Sequence, residues 1–427
     1  MKPIHLPPEQ SYPLLYDHSM LALRLPAGLS ADIILPNETP GVDDPVAEIR
    51  RAIDNPVDDF SFDDYRGVKK VVIAVNDKTR PVPHELILPG LLKKLSELAI
   101  SDNAITLLVA TGTHAPMPDT EMDRLLPPGL AQRYRVVSHN CDDDRNLVVL
   151  GKTSRGTEVA VNRLFHEADL KIVTGNIEPH HFAGFSGGAK SAAIGVAARA
   201  TIRQNHRYLL EPDSFLGIYE TNPLRQDIEE IGRLMGIDLS LNIIMNANHQ
   251  VVKAFCGRPE NVMKAGIPLS REICQTEIDD RYDLVIASAG GYPKDINLYQ
   301  AQKALTHASL LTRDGGTVIL AAACAEGVGS LGYEKFMEGI NSTDQVYEKL
   351  AQQGFDLGAH KAFLFARQIE RVHILLLSQL AGSKVRSLLL TPIQTLEEAI
   401  SRAIEDIKTP TRIAVLPHAT QTIPNIR

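Results

Sequence analysis

Short runs of Val, Ile and Leu recur along this chain, and each ends in small or polar residues before a stretch with helical character. Continuous apolar runs of this length are typical of strands buried on both faces, as in a parallel sheet covered by helices. The sequence therefore predicts an α/β protein with largely parallel sheets, and with helices between strands, for example over 83–100 and 343–354. The predicted strands cover residues 71–75, 105–110, 170–174, 283–288 and 315–323.

The chain of 427 residues is too long for one ordinary hydrophobic core, so we predict two domains. A polar stretch at 275–281 precedes the apolar run at 283–288 and marks the boundary. We predict a first domain over 1–277 and a second over 278–410. The last apolar run lies within 411–427, and we predict that this segment returns to the first domain.

The composition disfavours several classes of partner and site. A formal net charge of −8 disfavours nucleic acid and an anionic membrane as partners. The four cysteines form no CxxC pair, which disfavours a disulfide framework or a structural zinc site and favours a reducing compartment. The sequence shows neither a secretion signal nor eighteen consecutive apolar residues. We therefore expect a soluble protein of the cytoplasm.

Polar residues that could bind a ligand or transfer a proton follow two of the predicted strands. Ligands of parallel sheets bind beyond the carboxyl ends of strands. Asp77 and Arg80 follow the run at 71–75, and His114 follows the run at 105–110. The arginine fork suits a carboxylate or a phosphate, and a histidine suits general base catalysis. Taken singly, Asp77 and Arg80 are better explained as a surface ion pair, and a hydrogen-bonded loop histidine explains His114 at least as well.

The segment GNIEPHHFAGFSGGAKSAAIG, residues 175–195, combines two adjacent histidines, five glycines and one lysine. Its glycines permit close backbone approach to a ligand, and Lys190 could be an ion-pair donor or a nucleophile. Residues 184–191 read GFSGGAKS, which differs from the P-loop pattern by Ala189 in place of glycine. The near-match favours phosphate binding over ATP hydrolysis.

Two further groups lie on predicted helices. His206 shares a helix face with apolar residues, so a core histidine is the ordinary interpretation, and no HxxxH pair accompanies it to build a zinc site. Tyr299, Gln300 and Lys303 fall within about one helical turn, so their side chains could converge. An ordinary amphipathic first turn explains the same pattern.

Taken in order, these segments resemble the lactate racemase family that uses a nickel-pincer nucleotide, and the resemblance runs along nearly the whole chain. Lys190 lies ten positions after His180, and His206 lies sixteen positions after Lys190. Each motif alone is weak, whereas the ordered set is highly specific. The matching pieces are DxTR at Asp77–Arg80, GTH at Gly112–His114, PHxxAGFSGGxKS ending at Ser191, NH at Asn205–His206, and GGYPxDxNLYQxxK from Gly290 to Lys303.

The resemblance implies a fold and a cofactor. It implies two α/β domains with the active site in the cleft between them, and a pyridinium-3-thioamide-5-thiocarboxylic acid mononucleotide nickel group linked covalently to Lys190. His206 would be the one protein ligand of nickel, because the cofactor itself supplies two sulfurs and a carbon. Proteins that synthesise the cofactor would contact the chain transiently. Further cofactor contacts are expected from Asp77, Ser186, Gly187, Gly188 and Tyr299.

The resemblance also implies a reaction, the racemisation or epimerisation of a 2-hydroxy acid by reversible hydride transfer. His114 and His180 would act as the acid/base pair, Arg80 would bind the substrate carboxylate, and Gln300 and Lys303 would contact the substrate. The second histidine of the doublet, His181, remains an alternative to His180. A phosphate-binding nucleotide hydrolase and a non-catalytic cofactor carrier remain alternative functions, and the particular 2-hydroxy acid stays open.

Overall fold

The computed structural model describes residues 3–8, 10–80, 82–354, 358–406 and 412–426. The chain divides into two compact units. The N-terminal unit is Thr39–Ile273, and the C-terminal unit combines Met1–Glu38 with Cys274–Arg427. No helix in these described ranges is long and apolar enough to cross a membrane.

The strands of the described residues, in chain order, are β1 (Ile4–Leu6), β2 (Ser11–Tyr16), β3 (Ser19–Arg24), β4 (Ala31–Ile33), β5 (Val71–Asn76), β6 (Ile105–Ala110), β7 (Arg135–Ser138), β8 (Leu147–Lys152), β9 (Glu158–Asn162), β10 (Leu170–Asn176), β11 (Pro179–His180), β12 (Gly184–Phe185), β13 (Leu239–Met245), β14 (Val251–Gly257), β15 (Gln275–Ile278), β16 (Tyr282–Ser288), β17 (Thr312–Ala321), β18 (His373–Leu377), β19 (Thr391–Ile393), β20 (Ile413–Leu416) and β21 (Ile423–Ile426). The α-helices of the same residues are α1 (Pro45–Asp54), α2 (His84–Glu97), α3 (Asp119–Leu125), α4 (Leu130–Arg133), α5 (Arg163–His166), α6 (Lys190–Ala193), α7 (Arg199–Arg207), α8 (Pro223–Met235), α9 (Pro259–Cys274), α10 (Leu298–Leu311), α11 (Leu331–Met337), α12 (Thr343–Gln353), α13 (Ala359–Ile369), α14 (Gly382–Ser387) and α15 (Leu396–Asp406). Short 3₁₀ helices lie at Phe62–Tyr65, Asp102–Ala104, Asp144–Asn146, Tyr208–Leu210 and Ala419–Gln421.

The N-terminal unit is built on a sheet with the strand order β14-β13-β10-β5-β6-β7. The strands run parallel except β14, which pairs antiparallel with β13. Strands β5 and β10 at its centre are buried along nearly their whole length, as continuous apolar runs require. The strands predicted over 71–75, 105–110 and 170–174 are β5, β6 and β10, so these predictions are confirmed.

The C-terminal unit has its own sheet, in the order β1-β4-β20-β16-β17-β18-β19. Only β1 and β4 pair antiparallel among these strands. Apolar clusters lie on both faces of this sheet. The strands predicted over 283–288 and 315–323 are β16 and β17, and the helices predicted over 83–100 and 343–354 are α2 and α12. The prediction of an α/β fold with largely parallel sheets is confirmed.

The structure corrects the predicted assignment of both chain ends. Strand β20 lies between β16 and β4 and runs parallel to both, so the last apolar run belongs to the C-terminal unit rather than to the first domain. Strands β1 and β4, from the first 38 residues, also belong to that sheet. Strand β15 pairs with β21, which moves the boundary from 277/278 to 273/274. The apolar pattern of β20 fits a buried strand of either sheet, so the pattern alone could not predict which strands it pairs with. Residues 411 and 427 of the predicted segment lie outside the described residues.

The strand directions in the N-terminal unit place the candidate polar side chains at one edge of its sheet. Because β5, β6 and β10 run parallel, the residues that follow them meet at one edge of the sheet. Asp77 follows β5, Thr111 follows β6 and Ile177 follows β10. We call this the carboxyl edge.

Candidate active site

The loop after β5 orders Asp77 and Arg80 through the hydroxyl of Thr79. The Thr79 amide and Oγ1 both donate to Asp77 Oδ1, at 3.1 and 2.7 Å. Arg80 Nη1 donates to Thr79 Oγ1 at 2.8 Å, and the Arg80 amide donates to the Asp77 carbonyl. Since an aspartate that accepts from the amide two residues on makes a compact turn, this loop presents its carboxylate and its guanidinium in fixed places.

Asp77 and His114 form a close pair across the carboxyl edge. Asp77 Oδ2 lies 2.6 Å from His114 Nδ1, and the Asp77 side chain is buried while that of His114 is 36% exposed. Burial alone would raise the pKa of the Asp77 carboxyl, but the hydrogen bond and charge of His114 and the charge of Arg80 hold it below its ordinary value. An ionised carboxylate is an acceptor only, so His114 carries its proton on Nδ1 and Nε2 is left as the basic nitrogen.

Backbone hydrogen bonds fix the loop that carries His114. Gly112 adopts a φ of +58° at the turn after β6, and its amide donates to the Gly195 carbonyl at 2.9 Å. The His114 amide donates to the Thr111 carbonyl at 3.0 Å. The turn therefore ties the histidine to the segment that follows Lys190.

His84, which was not among the residues predicted from the sequence, supports the end of β5 just before the Asp77 loop. His84 is 2% exposed, and its Nε2 lies 3.0 Å from the Asn76 carbonyl, to which it donates. Burial lowers the pKa of His84, which keeps the ring neutral. It stands at the start of α2, outside every motif, so its spacing offered no signal.

The two adjacent histidines lie on a short hairpin of β11 and β12. His180 Nδ1 accepts from the Ala183 amide at 3.2 Å, so the neutral ring carries its proton on Nε2. Gly184 closes the hairpin with a φ of +71°, and a Cβ atom there would lie 1.8 Å from the Ile218 carbonyl oxygen. Glycine is therefore required at this position.

Phe182 joins the doublet to His206. Its ring centroid lies 4.6 Å from that of His180, 4.4 Å from that of His181 and 5.3 Å from that of His206. His206 is half-buried near the end of α7. The structure thus brings together three histidines that the sequence separates by up to 26 positions.

The glycine loop between β12 and Lys190 is packed against protein groups. Gly187 and Gly188 have φ values of +90° and +58°, and a Cβ atom at Gly188 would lie 2.6 Å from Met263 Cγ. The Gly188 amide donates to Asn242 Oδ1 at 2.7 Å, and the Ser186 amide donates to the Glu178 carbonyl at 2.7 Å. These two amides are occupied by protein acceptors, whereas a P-loop directs its amides at phosphate.

Helix α6 begins at Lys190 and is packed on the carboxyl edge. A Cβ atom at Gly175 would lie 2.9 Å from Ser191 Oγ and 3.5 Å from Asn76 Oδ1. The missing side chain therefore lets the first turn of α6 approach the end of β5. The half-buried Lys190 is placed on the same edge as the Asp77 loop.

The residues of this edge fit a bound group that brings its own metal donors. Across the described ranges, no cluster of three or more His, Cys, Asp or Glu could hold a metal ion by itself. Asn76 Oδ1 and Asn176 Oδ1, at the ends of β5 and β10, are buried with no hydrogen-bond partner in the described part of the chain. Buried polar atoms normally have partners, so these oxygens suit a ligand with donor groups. One lysine, one imidazole and two acceptor oxygens agree with a tethered nucleotide-like group.

In the C-terminal unit, the candidate residues lie in the first turns of α10. Asn297 Oδ1 accepts from the Gln300 amide at 3.0 Å and caps the helix. Lys303 Nζ donates to Gln300 Oε1 at 2.7 Å, so these two side chains converge as their spacing predicts. Tyr299 instead contacts the start of α13, where its hydroxyl lies 3.3 Å from His360 Nε2.

The chain has a two-unit α/β architecture, a buried carboxylate paired with a partly exposed imidazole, and a glycine loop that leads to a lysine. This is the layout of an enzyme for a small molecule. Comparison with known proteins narrows this class. Residues 16–217 match the lactate racemase N-terminal domain, and residues 278–423 match the lactate racemase C-terminal domain. The chain therefore belongs to the lactate racemase family, and it is an isomerase of the racemase class.

Two curated relatives are similar over most of their length. The chain is 31% identical to the lactate racemase of Thermoanaerobacterium thermosaccharolyticum over 382 residues, which are 88% of this chain and 89% of the relative. It is 30% identical to that of Lactiplantibacillus plantarum over 380 residues, which are 86% and 88% of the two chains.

Two solved structures share the fold. The lactate racemase apoprotein of T. thermosaccharolyticum has a TM-score of 0.90 and 29% identity, covering 97% of this chain and all of that one. A Thermotoga maritima protein has a TM-score of 0.69 and 18% identity, covering 92% of this chain and all of that one, and this second likeness concerns the fold alone.

Proposed function

We propose that this chain inverts the C2 centre of a 2-hydroxy acid by reversible hydride removal, with the 2-keto acid as intermediate. The observation that carries the proposal is the carboxyl edge, where Asp77 holds His114 at 2.6 Å and Thr79 connects Asp77 to Arg80. A base beside a guanidinium is what deprotonation of a hydroxyl next to a carboxylate requires.

His114 is the first acid/base group of the proposal. With Nδ1–H held by Asp77, its Nε2 takes the proton of the substrate hydroxyl when hydride leaves C2. The Asp77 carboxylate stabilises the imidazolium that forms, as an aspartate behind a catalytic histidine does. In the reverse step, the same nitrogen returns the proton to oxygen.

Arg80 binds the substrate carboxylate in this proposal. Two guanidinium N–H groups match two carboxylate oxygens and hold the acid by one end. The planar keto acid can then present its other face while its carboxylate stays bound. Orientation of this kind supplies much of the rate enhancement in reactions between bound groups.

His180 is the second acid/base group. Its Nδ1 accepts from the Ala183 amide, so the neutral ring carries its proton on Nε2. In this proposal the ring gives up that backbone hydrogen bond and takes a second proton on Nδ1, so that the imidazolium donates from Nε2 to the substrate oxygen and returns to its neutral form. A base on one imidazole and an acid on another suit a reaction that runs in both directions. His180 is 8% exposed against 3% for His181, which favours the first histidine of the doublet.

The proposal includes a nickel-pincer nucleotide joined to Lys190, with His206 as the protein ligand of nickel. When bound, this group supplies the hydride acceptor. Asn76 and Asn176 offer it acceptor oxygens, in addition to contacts from Asp77, Ser186, Gly187, Gly188 and Tyr299. Because other proteins make such a group, the proposal also includes their transient contact with the chain, in the cytoplasm.

Gln300 and Lys303 are assigned to the substrate. The Lys303 ammonium donates to Gln300 Oε1, which directs the Gln300 amide NH₂ to other acceptors. Hydroxyl and carboxylate oxygens of a 2-hydroxy acid are acceptors of this kind.

The cofactor assignment is tested by intact mass and nickel content of protein produced together with the cofactor-synthesis enzymes. The expected result is added mass on Lys190 and about one nickel per chain, both absent in Lys190→Ala. Lys264→Ala is the matched control, because Lys264 is exposed on α9. Magnesium-dependent ATP turnover without added mass would support the hydrolase alternative instead.

The reaction is tested with 2-hydroxy acids deuterated at C2. Hydride transfer predicts that deuterium stays on C2 through inversion, and exchange of the label with solvent at every inversion would contradict it. A loaded protein that changes the optical rotation of no member of a 2-hydroxy-acid panel would instead support the carrier alternative.

A further inference from the structure

We propose that the first turn of α8 sets the loop from Phe182 to Gly187, and that Asn222 and Arg225 are positioning residues for His180 and Lys190. We call Asn222, Arg225 and Glu229 the α8 clamp. The inference depends on the proposed function only for the roles of His180 and Lys190.

Asn222 holds the hairpin end of the loop. Its Oδ1 accepts from the Arg225 amide at 2.9 Å and caps α8, while its Nδ2 donates to the Phe182 carbonyl at 2.8 Å. Asn222 is fully buried. Because the Phe182 ring contacts the rings of His180 and His206, one amide fixes the residue around which the histidines pack.

Arg225 holds the glycine end of the loop. Its side chain is fully buried, Nη1 donates to the Phe185 carbonyl at 2.8 Å, and Nη2 donates to the Gly187 carbonyl at 3.1 Å. Nε and Nη2 also donate to Glu229 Oε1, at 2.8 and 2.5 Å. A buried carbonyl without a partner is strongly unfavourable, so Arg225 decides which conformation of the loop is stable.

The guanidinium itself has little freedom. It lies over the ring of Tyr219 at 5.0 Å, and the Tyr219 hydroxyl donates to the same Glu229 oxygen at 2.9 Å. A Cβ atom at Gly188 would lie 3.2 Å from Arg225 Nη2. The guanidinium thus packs against the open side of Gly188, two residues before Lys190. A lysine at position 225 could not make these divergent hydrogen bonds from one planar fork.

The test uses the protein without cofactor, so that it does not depend on the reaction. Arg225→Met combined with Glu229→Gln removes both charges and leaves no buried ion unpaired. Asn222→Ser keeps a helix-capping oxygen but loses the donor to Phe182. Arg233→Met is the matched control, because Arg233 lies on the same helix with 57% of its side chain exposed.

Hydrogen exchange of residues 182–190 and reductive methylation of Lys190 across pH are the readouts. The double variant is expected to raise exchange across 185–190 at least tenfold and to shift the pH profile of Lys190 methylation. Asn222→Ser is expected to raise exchange at 182–184, and Arg233→Met to leave both readouts unchanged. Arg225→Lys keeps the positive charge but loses the planar fork, so it is expected to change both the exchange and the Lys190 methylation profile.

Wild-type exchange and methylation in a folded double variant, or in Asn222→Ser, would overturn the proposal. On co-production with the cofactor-synthesis enzymes, the added mass on Lys190 is expected to fall at least fivefold in the double variant. If the exchange changes appear while wild-type protein gains no mass at Lys190, the clamp is supported and the cofactor assignment fails.

Discussion

At the scale of residues, the structure pairs groups that the sequence lists separately. DxTR and GTH lie 32 to 37 positions apart, and folding places Asp77 and His114 in direct contact. The motif positions could be predicted from the sequence. Arg225, Asn222 and His84 could not, because a buried polar residue on a helix has the same local pattern as an exposed one.

Asp77→Asn tests the pair through the dependence of stability on pH. The Asp77 pKa is lowered in the folded protein, so its contribution is present above the unfolded carboxyl pKa and is lost as the pH falls through the lower, folded value. At pH 7 we expect the variant to lose about 1–2 kcal/mol of unfolding free energy. The difference from wild type should shrink below about pH 4.

Urea unfolding at pH 7 and pH 3 measures this difference. Asp119→Asn is the control, since it makes the same change of side chain at an exposed position. A difference between Asp77→Asn and wild type that is the same at both pH values would contradict the role of the Asp77 charge.

Gly184→Ala tests whether the hairpin needs space or only a left-handed backbone. The added Cβ would overlap the Ile218 carbonyl, whereas a Cβ at Gly236, which also has positive φ, would meet nothing within 4 Å. We expect a loss of about 3 kcal/mol or more for Gly184→Ala and of about 1 kcal/mol for Gly236→Ala. Equal losses in urea unfolding would show that the contact with Ile218 is unimportant.

At the scale of elements, helix α7 is attached to the unit by the residue before His206. Asn205 Nδ2 donates to Asp227 Oδ2 at 2.9 Å and to the Leu224 carbonyl at 3.0 Å. Asp227 also accepts from the hydroxyls of Thr153 and Thr157, and it is fully buried. The sequence predicted the helix from its pattern, but the buried network that orients it joins three separate segments, namely α7, α8 and the loop between β8 and β9.

Asn205→Ala should therefore loosen α7 and the histidine it carries. We expect a loss of about 1–3 kcal/mol in unfolding free energy, because Asp227 and the Leu224 carbonyl lose a buried donor. With His206 as the proposed nickel ligand, nickel retained after dialysis of loaded protein should also fall. Gln204→Ala, at the preceding position of α7, is the comparison, and equal nickel retention in the two variants would contradict the role of Asn205.

At the scale of the whole molecule, the strands were predictable and their allocation to sheets was not. Each buried strand has a local apolar signature, whereas the position of β20 between β16 and β4 depends on partners more than a hundred residues away in the chain. The chain ends thus complete a sheet whose other strands come from its second half.

Fragments of the chain test this allocation. A fragment of residues 39–273 contains every strand of its sheet and is expected to fold and unfold cooperatively. A fragment of residues 278–410 lacks β1, β4 and β20 and is expected to remain unfolded by circular dichroism. A cooperative transition of the second fragment would show that these three strands are dispensable.

The position of β20 also orders events during synthesis. When residue 273 has left the ribosome, every strand of the sheet of the N-terminal unit, which carries Lys190 and His206, has been synthesised. The sheet of the C-terminal unit still lacks its interior strand β20, which lies some 140 residues further along the chain. Translation therefore completes the sheet that supports Lys190, the proposed cofactor anchor, before the C-terminal unit can complete its own sheet.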